Sequence, residues 1–114
     1  MMREVVALVS VLLVLSLLLL FTHYLAVKRE QVLVYMLKHR YPLYGLDFVY
    51  ARIAGPGSVY LVLQALEDEE LIHSRIEQRM FDEKLPSKRV YELSILGAAV
   101  ARRLDEIQMK KRAA

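Results

Sequence analysis

Hydrophobic residues fall along this chain in three different rhythms. From residue 5 to residue 21 they are interrupted only by Ser10 and Ser16, and the uncharged run extends to residue 27, about 23 residues in all and enough to cross a hydrocarbon core of ~30 Å. Leu and Val occupy every side of such a helix, unlike the one-sided stripe of a soluble amphipathic helix. Further on, Val59, Val62, Leu63 and Leu66 recur at i, i+3, i+4 and i+7, one apolar stripe of a helix entered through the turn Ala54-Gly55-Pro56-Gly57. Ser58 stands where an N-cap would accept from backbone N–H groups two or three residues on, and Tyr60, Gln64 and Glu67 are left on another face. After residue 70 the period shortens. Residues 71–77 and 90–93 hold β-branched residues in partial alternation, which predicts a hairpin whose long tip, residues 78–89, is polar and carries Arg79, Lys84, Lys88 and Arg89.

The remaining elements are shorter or follow from these. No Gly or Pro occurs before Pro42, so the apolar helix is expected to run unbroken to Lys38, with Val32, Leu33, Met36 and Leu37 as a stripe at its far end. One helix then serves as anchor and as first helix of the following domain. Pro42 ends it, and residues 43–53 read as a short helix with Leu46, Val49, Tyr50 and Ile53 at helical spacing. Gly97 precedes a final helix to about Arg112, with Val100, Leu104 and Ile107 as its stripe and Lys110, Lys111 and Arg112 at its end. Helix, helix, turn, helix, strand, wing, strand, helix is the order of a winged helix-turn-helix. The expected fold class is therefore mainly α with a small β-hairpin (α+β): a transmembrane helix at residues 1–27, then a winged-helix domain at residues 28–114.

Composition narrows the function. The chain is 56% hydrophobic, but the excess sits in the first quarter and the rest is ordinary. A cleaved signal peptide would have a shorter apolar region and small residues at the cleavage site, whereas Ala26 at −1 would put Tyr24 at −3. A buried helix in a strongly associating soluble protein is the other reading. Lys28, Arg29, Lys38 and Arg40 follow the span and only Arg3 precedes it, so the positive-inside rule places the domain in the cytoplasm and the N-terminus outside the cell membrane. Tyr24 lies where an interfacial aromatic anchor would be. The net charge of +3 permits an anionic partner without requiring one.

Little in the chain suggests chemistry. With no cysteine there is no thiolate site or disulfide. His23, His39 and His73 lack the spacing of metal ligands, and the acidic run Glu67 to Glu70 reads as a solvated helix end. No Ser/His/Asp grouping, carboxylate pair or phosphate loop can be assembled, so the chain is read as non-enzymatic and without cofactor. The basic end of the last helix is ordinary complementation of the helix dipole, with anionic headgroups as the other reading.

Three ordered pieces carry a family resemblance: Pro42-Leu43-Tyr44-Gly45-Leu46; Gly57-Ser58-Val59-Tyr60 with Leu63, Leu66-Glu67-Asp68-Glu69 and Leu71-Ile72; and Lys88-Arg89-Val90-Tyr91-Glu92-Leu93-Ser94 with Gly97. Together, over about two thirds of the chain, they resemble the PadR-like winged-helix transcriptional regulators. The resemblance implies a homodimer that binds double-stranded DNA. Ser58 and Tyr60 would approach the DNA backbone, and Lys88 and Arg89 in the wing would contact phosphates. Arg79 and Lys84 extend that basic wing, and Gln64 has the amide to read adenine. Leu61 stands where the family has proline, and Glu70 where it has the glycine of a left-handed helix end. Residues 58–70 hold four carboxylates and no Lys or Arg. That charge motivates a second reading, an adaptor that has lost DNA binding and docks a protein partner through its acidic recognition helix.

Overall fold

The computed structural model describes residues 1–39, 41–77 and 88–113. Its elements, in chain order, are α1 (Met2–Lys38), β1 (Leu43–Tyr44), α2 (Gly45–Tyr50), α3 (Val59–Asp68), β2 (Ile72–Glu77), β3 (Lys88–Leu93) and α4 (Ile95–Ala113). The three strands form one antiparallel sheet in the order β1-β3-β2. Helices α1, α2 and α3 with this sheet make a winged helix-turn-helix, and α4 packs back along α1.

α1 is a single helix of 37 residues, as the absence of helix breakers predicts. Its two halves differ. Every large hydrophobic residue from Val5 to Phe21 is exposed, whereas Val32, Leu33, Val34 and Met36 are buried in the domain core. The helix is long and apolar enough to cross a membrane. The hydroxyls of Ser10, Ser16 and Thr22 donate to the carbonyls of Val6, Leu12 and Leu18 at 2.8–2.9 Å, so these polar groups are satisfied within the helix.

The core holds the predicted stripe of α3: Val59, Val62, Leu63 and Leu66 are all fully buried. α2 departs from expectation. Leu43 and Tyr44 are not its first turn but a short strand, paired with Tyr91 and Val90 of β3. In the six-residue helix that follows, Leu46 and Tyr50 are exposed and Phe48 is the buried residue, its ring edge-on to Tyr35. A helix of under two turns has too few residues to fix its own inner face, so its neighbours choose it: α3, the sheet and Tyr35 of α1.

Helices α2 and α3 end alike. Arg52 donates to Val49 O and Ile53 to Phe48 O; Glu70 donates to Glu67 O and Leu71 to Leu66 O, all at 2.9–3.0 Å. Both are Schellman ends, and their left-handed residues are Arg52 (φ 60°) and Glu70 (φ 61°) rather than glycines. Glycine is needed elsewhere. Gly97 does not precede α4 but lies inside its first turn, where an added Cβ would sit 1.8 Å from the Leu71 carbonyl oxygen. The true cap of α4 is Ser94, whose Oγ accepts from Gly97 N at 2.9 Å and donates to Glu70 O at 2.7 Å.

Candidate nucleic-acid interface

α3 presents distinct faces around its axis, because residues three and four apart fall on one side. The core stripe occupies one. Tyr60 and Glu67 lie on the side toward the sheet, Gln64 and Asp68 point outward, and Ser58, Ala65 and Glu69 run along the side of α1.

On the sheet side, Tyr60 meets the wing. Its ring lies against Gly45, where an added Cβ would come within 2.9 Å of Tyr60 Cε1. Two pieces of sequence far apart in the chain, Tyr44-Gly45 and Val59-Tyr60, thus form one surface. Tyr60, Tyr44, Tyr50, Leu46, Asp47, Lys88 and Arg89 line an open groove of about 390 Å³. Lys88 Nζ lies 5.2 Å from the centre of the Tyr44 ring, a cation–π distance, and the Tyr44 hydroxyl donates to Glu77 at 2.6 Å. Arg89 donates to Ser74 Oγ at 2.8 Å, and Ser74 in turn donates to Glu67. Tyr91 lies buried behind these groups. Burial pushes its hydroxyl above the ordinary tyrosine range, with Glu67 and Tyr60 adding to the rise and Arg89 opposing it.

The groove therefore combines two cations, exposed aromatic faces and the outer side of α3. It is suited to a polyanion that also offers flat or apolar surface: phosphate attraction from Lys88 and Arg89, stacking or backbone contact from Tyr60 and Tyr50. Two carboxylates temper it, Asp47 and Glu77. Asp47 is held by the Tyr44 backbone N–H at 2.8 Å.

Of the residues expected at a DNA surface, Tyr60, Lys88 and Arg89 come together here. Gln64 stands one turn further along α3, exposed, with its amide donating to Asp68 at 2.9 Å. Arg79 and Lys84 lie outside the described residues. Ser58 is at the N-cap position but does not cap. Its backbone is helical (φ −103°, ψ −18°) where a capping residue is normally extended, so its side chain cannot reach back to the helix N–H groups. Instead Ser58 Oγ shares a 3.0 Å hydrogen bond with the Tyr24 hydroxyl of α1 and donates to Gly55 O at 3.4 Å. Tyr44 and Gly45 are site residues that helical spacing did not bring out, the Tyr-Gly pair shortly after Pro42 being the available signal, and Tyr50, which spacing assigned to the apolar stripe of α2, is exposed and lines the groove.

Three of the four carboxylates of residues 58–70 have partners within the chain. Glu67 accepts from Ser74, Asp68 from Gln64, and Glu69 forms an ion pair with Arg29 of α1. Among the described residues no group of His, Asp and Glu is arranged to hold a metal ion.

No family model matches the chain, and no curated protein does. Solved structures do. A mutant of Lactococcus lactis ZitR in its apo form is 17% identical and superposes with a TM-score of 0.62 over 91% of this chain and 74% of that one. The adhesin competence repressor AdcR of Streptococcus pyogenes is 14% identical, with a TM-score of 0.59 over 75% of this chain and 59% of that one. A Streptococcus transcriptional regulator is 20% identical, with a TM-score of 0.53 over 74% of this chain and 91% of its own. At these identities the likeness is one of fold, and it supports the winged helix described above.

Proposed function

We propose that this chain is a membrane-anchored, PadR-like winged-helix protein that binds double-stranded DNA as a homodimer and regulates transcription from the cytoplasmic face of the cell membrane. The observation that carries the DNA reading is the convergence of Tyr60 from α3 with Lys88 and Arg89 from the base of the wing on one open groove. A winged helix reads DNA with this pair of elements, the helix positioning and the wing adding phosphate attraction. Tyr60 and Tyr50 contact the backbone, Gln64 faces base edges after release from Asp68, and Lys88 and Arg89 neutralise phosphates, with Arg79 and Lys84 extending the same basic wing.

The anchoring reading is supported by residues 5–21, whose apolar side chains are exposed on every side and whose hydroxyls are satisfied inside the helix. Lys28, Arg29 and Lys38 on the domain side orient it inward. Anchoring confines the search for DNA to the membrane surface and raises the effective concentration of two domains on a palindromic site. The adaptor alternative rested on the acidic run Glu67 to Glu70 and on the lack of basic residues in α3, and the engagement of Glu67, Asp68 and Glu69 by Ser74, Gln64 and Arg29 leaves it with less to offer a partner.

The test is fluorescence anisotropy with a labelled duplex and the full chain in nanodiscs at low salt. Binding is expected, and Tyr60→Ala or the double change Lys88→Ala/Arg89→Ala weakens it about five- to thirtyfold, as loss of one to two backbone contacts of ~1 kcal/mol each implies. No binding to any duplex, or equal binding by all three proteins, contradicts the reading.

A further inference from the structure

The bond between Tyr24 and Ser58 fixes how the recognition helix sits relative to the apolar half of α1. Ser58 Oγ is 3.0 Å from the Tyr24 hydroxyl, and Glu69, at the other end of α3, is ion-paired with Arg29. Tyr24 and Arg29 are ~7.5 Å apart along α1, whereas Ser58 and Glu69 are ~16 Å apart along α3. α3 therefore crosses α1 obliquely, its first turn at the level of Tyr24 and its last turn further from the apolar run. Because α1 is unbroken through this region, no hinge lets the domain swing away. Tyr24 lies four residues before Lys28, the first charge after the apolar run. If that run spans a bilayer, Tyr24 lies in the interfacial layer and Ser58 lies beside it.

The residues next to Ser58 fit that position. Leu61, three residues on, lies about 60° around α3 from Ser58, between the α1 side and the outward face, and is 53% exposed. Val27, on α1, is also exposed. Residues 54–61 contain no charged side chain at all. An exposed leucine on the first turn of α3, level with an interfacial tyrosine and flanked by an uncharged turn, continues the apolar surface of α1 onto the domain.

Resting on the anchoring reading above, we propose that one edge of the first turn of α3, formed by Ser58 and Leu61, is a lipid-contacting surface, with Leu61 seated at the boundary of headgroups and acyl chains. The occupant is the bilayer that holds α1. One edge of the end that a winged helix ordinarily brings closest to base edges is thereby turned to the membrane, while Tyr60 on the opposite side of the same turn keeps to the groove. Ser58 is withdrawn from DNA, and duplex contact is left to Tyr60, Gln64 and the wing.

The chain has no cysteine, so single spin labels can be placed without background. Leu61→Cys, Gln64→Cys and Leu12→Cys, each in the full chain, are labelled with a nitroxide and reconstituted in phosphatidylcholine–phosphatidylglycerol nanodiscs. All three positions are exposed, and circular dichroism checks that each labelled protein retains its helix content. Collision with oxygen, which partitions into lipid, is compared with collision with a water-soluble nickel chelate. The expected result is oxygen-dominated relaxation at position 12, nickel-dominated relaxation at position 64, and a shift toward oxygen at position 61. A label at 61 as accessible to nickel as that at 64, with position 12 still in lipid, overturns the lipid-contact proposal and leaves the anchor standing. Nickel access at position 12 overturns the anchor and, with it, the proposal.

Discussion

The two halves of α1 share one backbone and both bear Leu and Val, on every side in the first half and as one stripe among Lys28, Arg29, Glu30 and Gln31 in the second, and their relations to the rest of the molecule are opposite. Leu12, Leu15 and Leu18 are more than half exposed, whereas Val32 and Leu33 are buried against α3 and its neighbours. A regular helix of Leu and Val is thus compatible with either setting. What separates them is the polar groups nearby. In the first half the few hydroxyls turn inward to their own helix; in the second, Arg29 reaches the carboxylate of Glu69. The first half is built for a uniform apolar surrounding, the second for one fitted neighbour.

That contrast gives its largest effect in paired truncations. Phe48→Ala, which empties the contact between α2 and the second half of α1, should cost ~3–5 kcal/mol of domain stability, whereas Leu12→Ala should leave it unchanged. Thermal unfolding of the full chain in micelles, followed by near-ultraviolet circular dichroism of its tyrosines, checks both. Equal effects would erase the distinction. Next comes overpacking: Gly97→Ala drives a methyl into the Leu71 carbonyl and should cost about 3 kcal/mol, since the clash is with backbone and not with a mobile side chain.

A smaller effect runs the other way. Glu70 is left-handed at the end of α3, and Glu70→Gly relieves that strain at some entropic cost, for a net gain of about 0.5–1 kcal/mol by the same measurement. The bond it shares with Ser94 uses its backbone carbonyl and survives the change. The smallest is the response to alkali. Burial raises the pKa of Tyr91 above its ordinary 10.0, so the folded domain holds that proton more tightly than the unfolded chain. The corresponding stability is complete below pH 10 and falls as pH rises from there through the higher folded value. Tyr91→Phe should flatten this decline in unfolding curves taken at rising pH; an unchanged slope would show that Tyr91 does not contribute to it.

Long periodic segments were legible in the sequence, and short or contact-determined ones were not. The stripe of α3 and the unbroken course of α1 follow from spacing and from the absence of Gly and Pro, signals that accumulate over many residues. β1 has two residues and no period; only its pairing with Tyr91 and Val90 makes it a strand. α2 has a turn and a half, so its inward residue was decided by the elements around it, α3, the sheet and Tyr35 of α1, and not by its own spacing. Ser58 has the residue type of a cap, but the nearness of Tyr24, 34 residues away, redirected its hydroxyl. At the groove, the basic and aromatic residues of wing and α3 were recognisable singly. That Gly45 is the floor on which Tyr60 rests required the fold.

The claim on which the functional account turns is that the groove of Tyr60, Lys88 and Arg89 takes duplex DNA. The dependence of duplex affinity on salt, measured by anisotropy with the nanodisc-held full chain, tests it most directly. Each phosphate contact contributes about 0.9 to the slope of log K against log salt, so Lys88→Ala/Arg89→Ala should reduce that slope by about 2 while the domain stays folded. A slope identical in the two proteins, or no affinity for duplex even at the lowest salt, would contradict it.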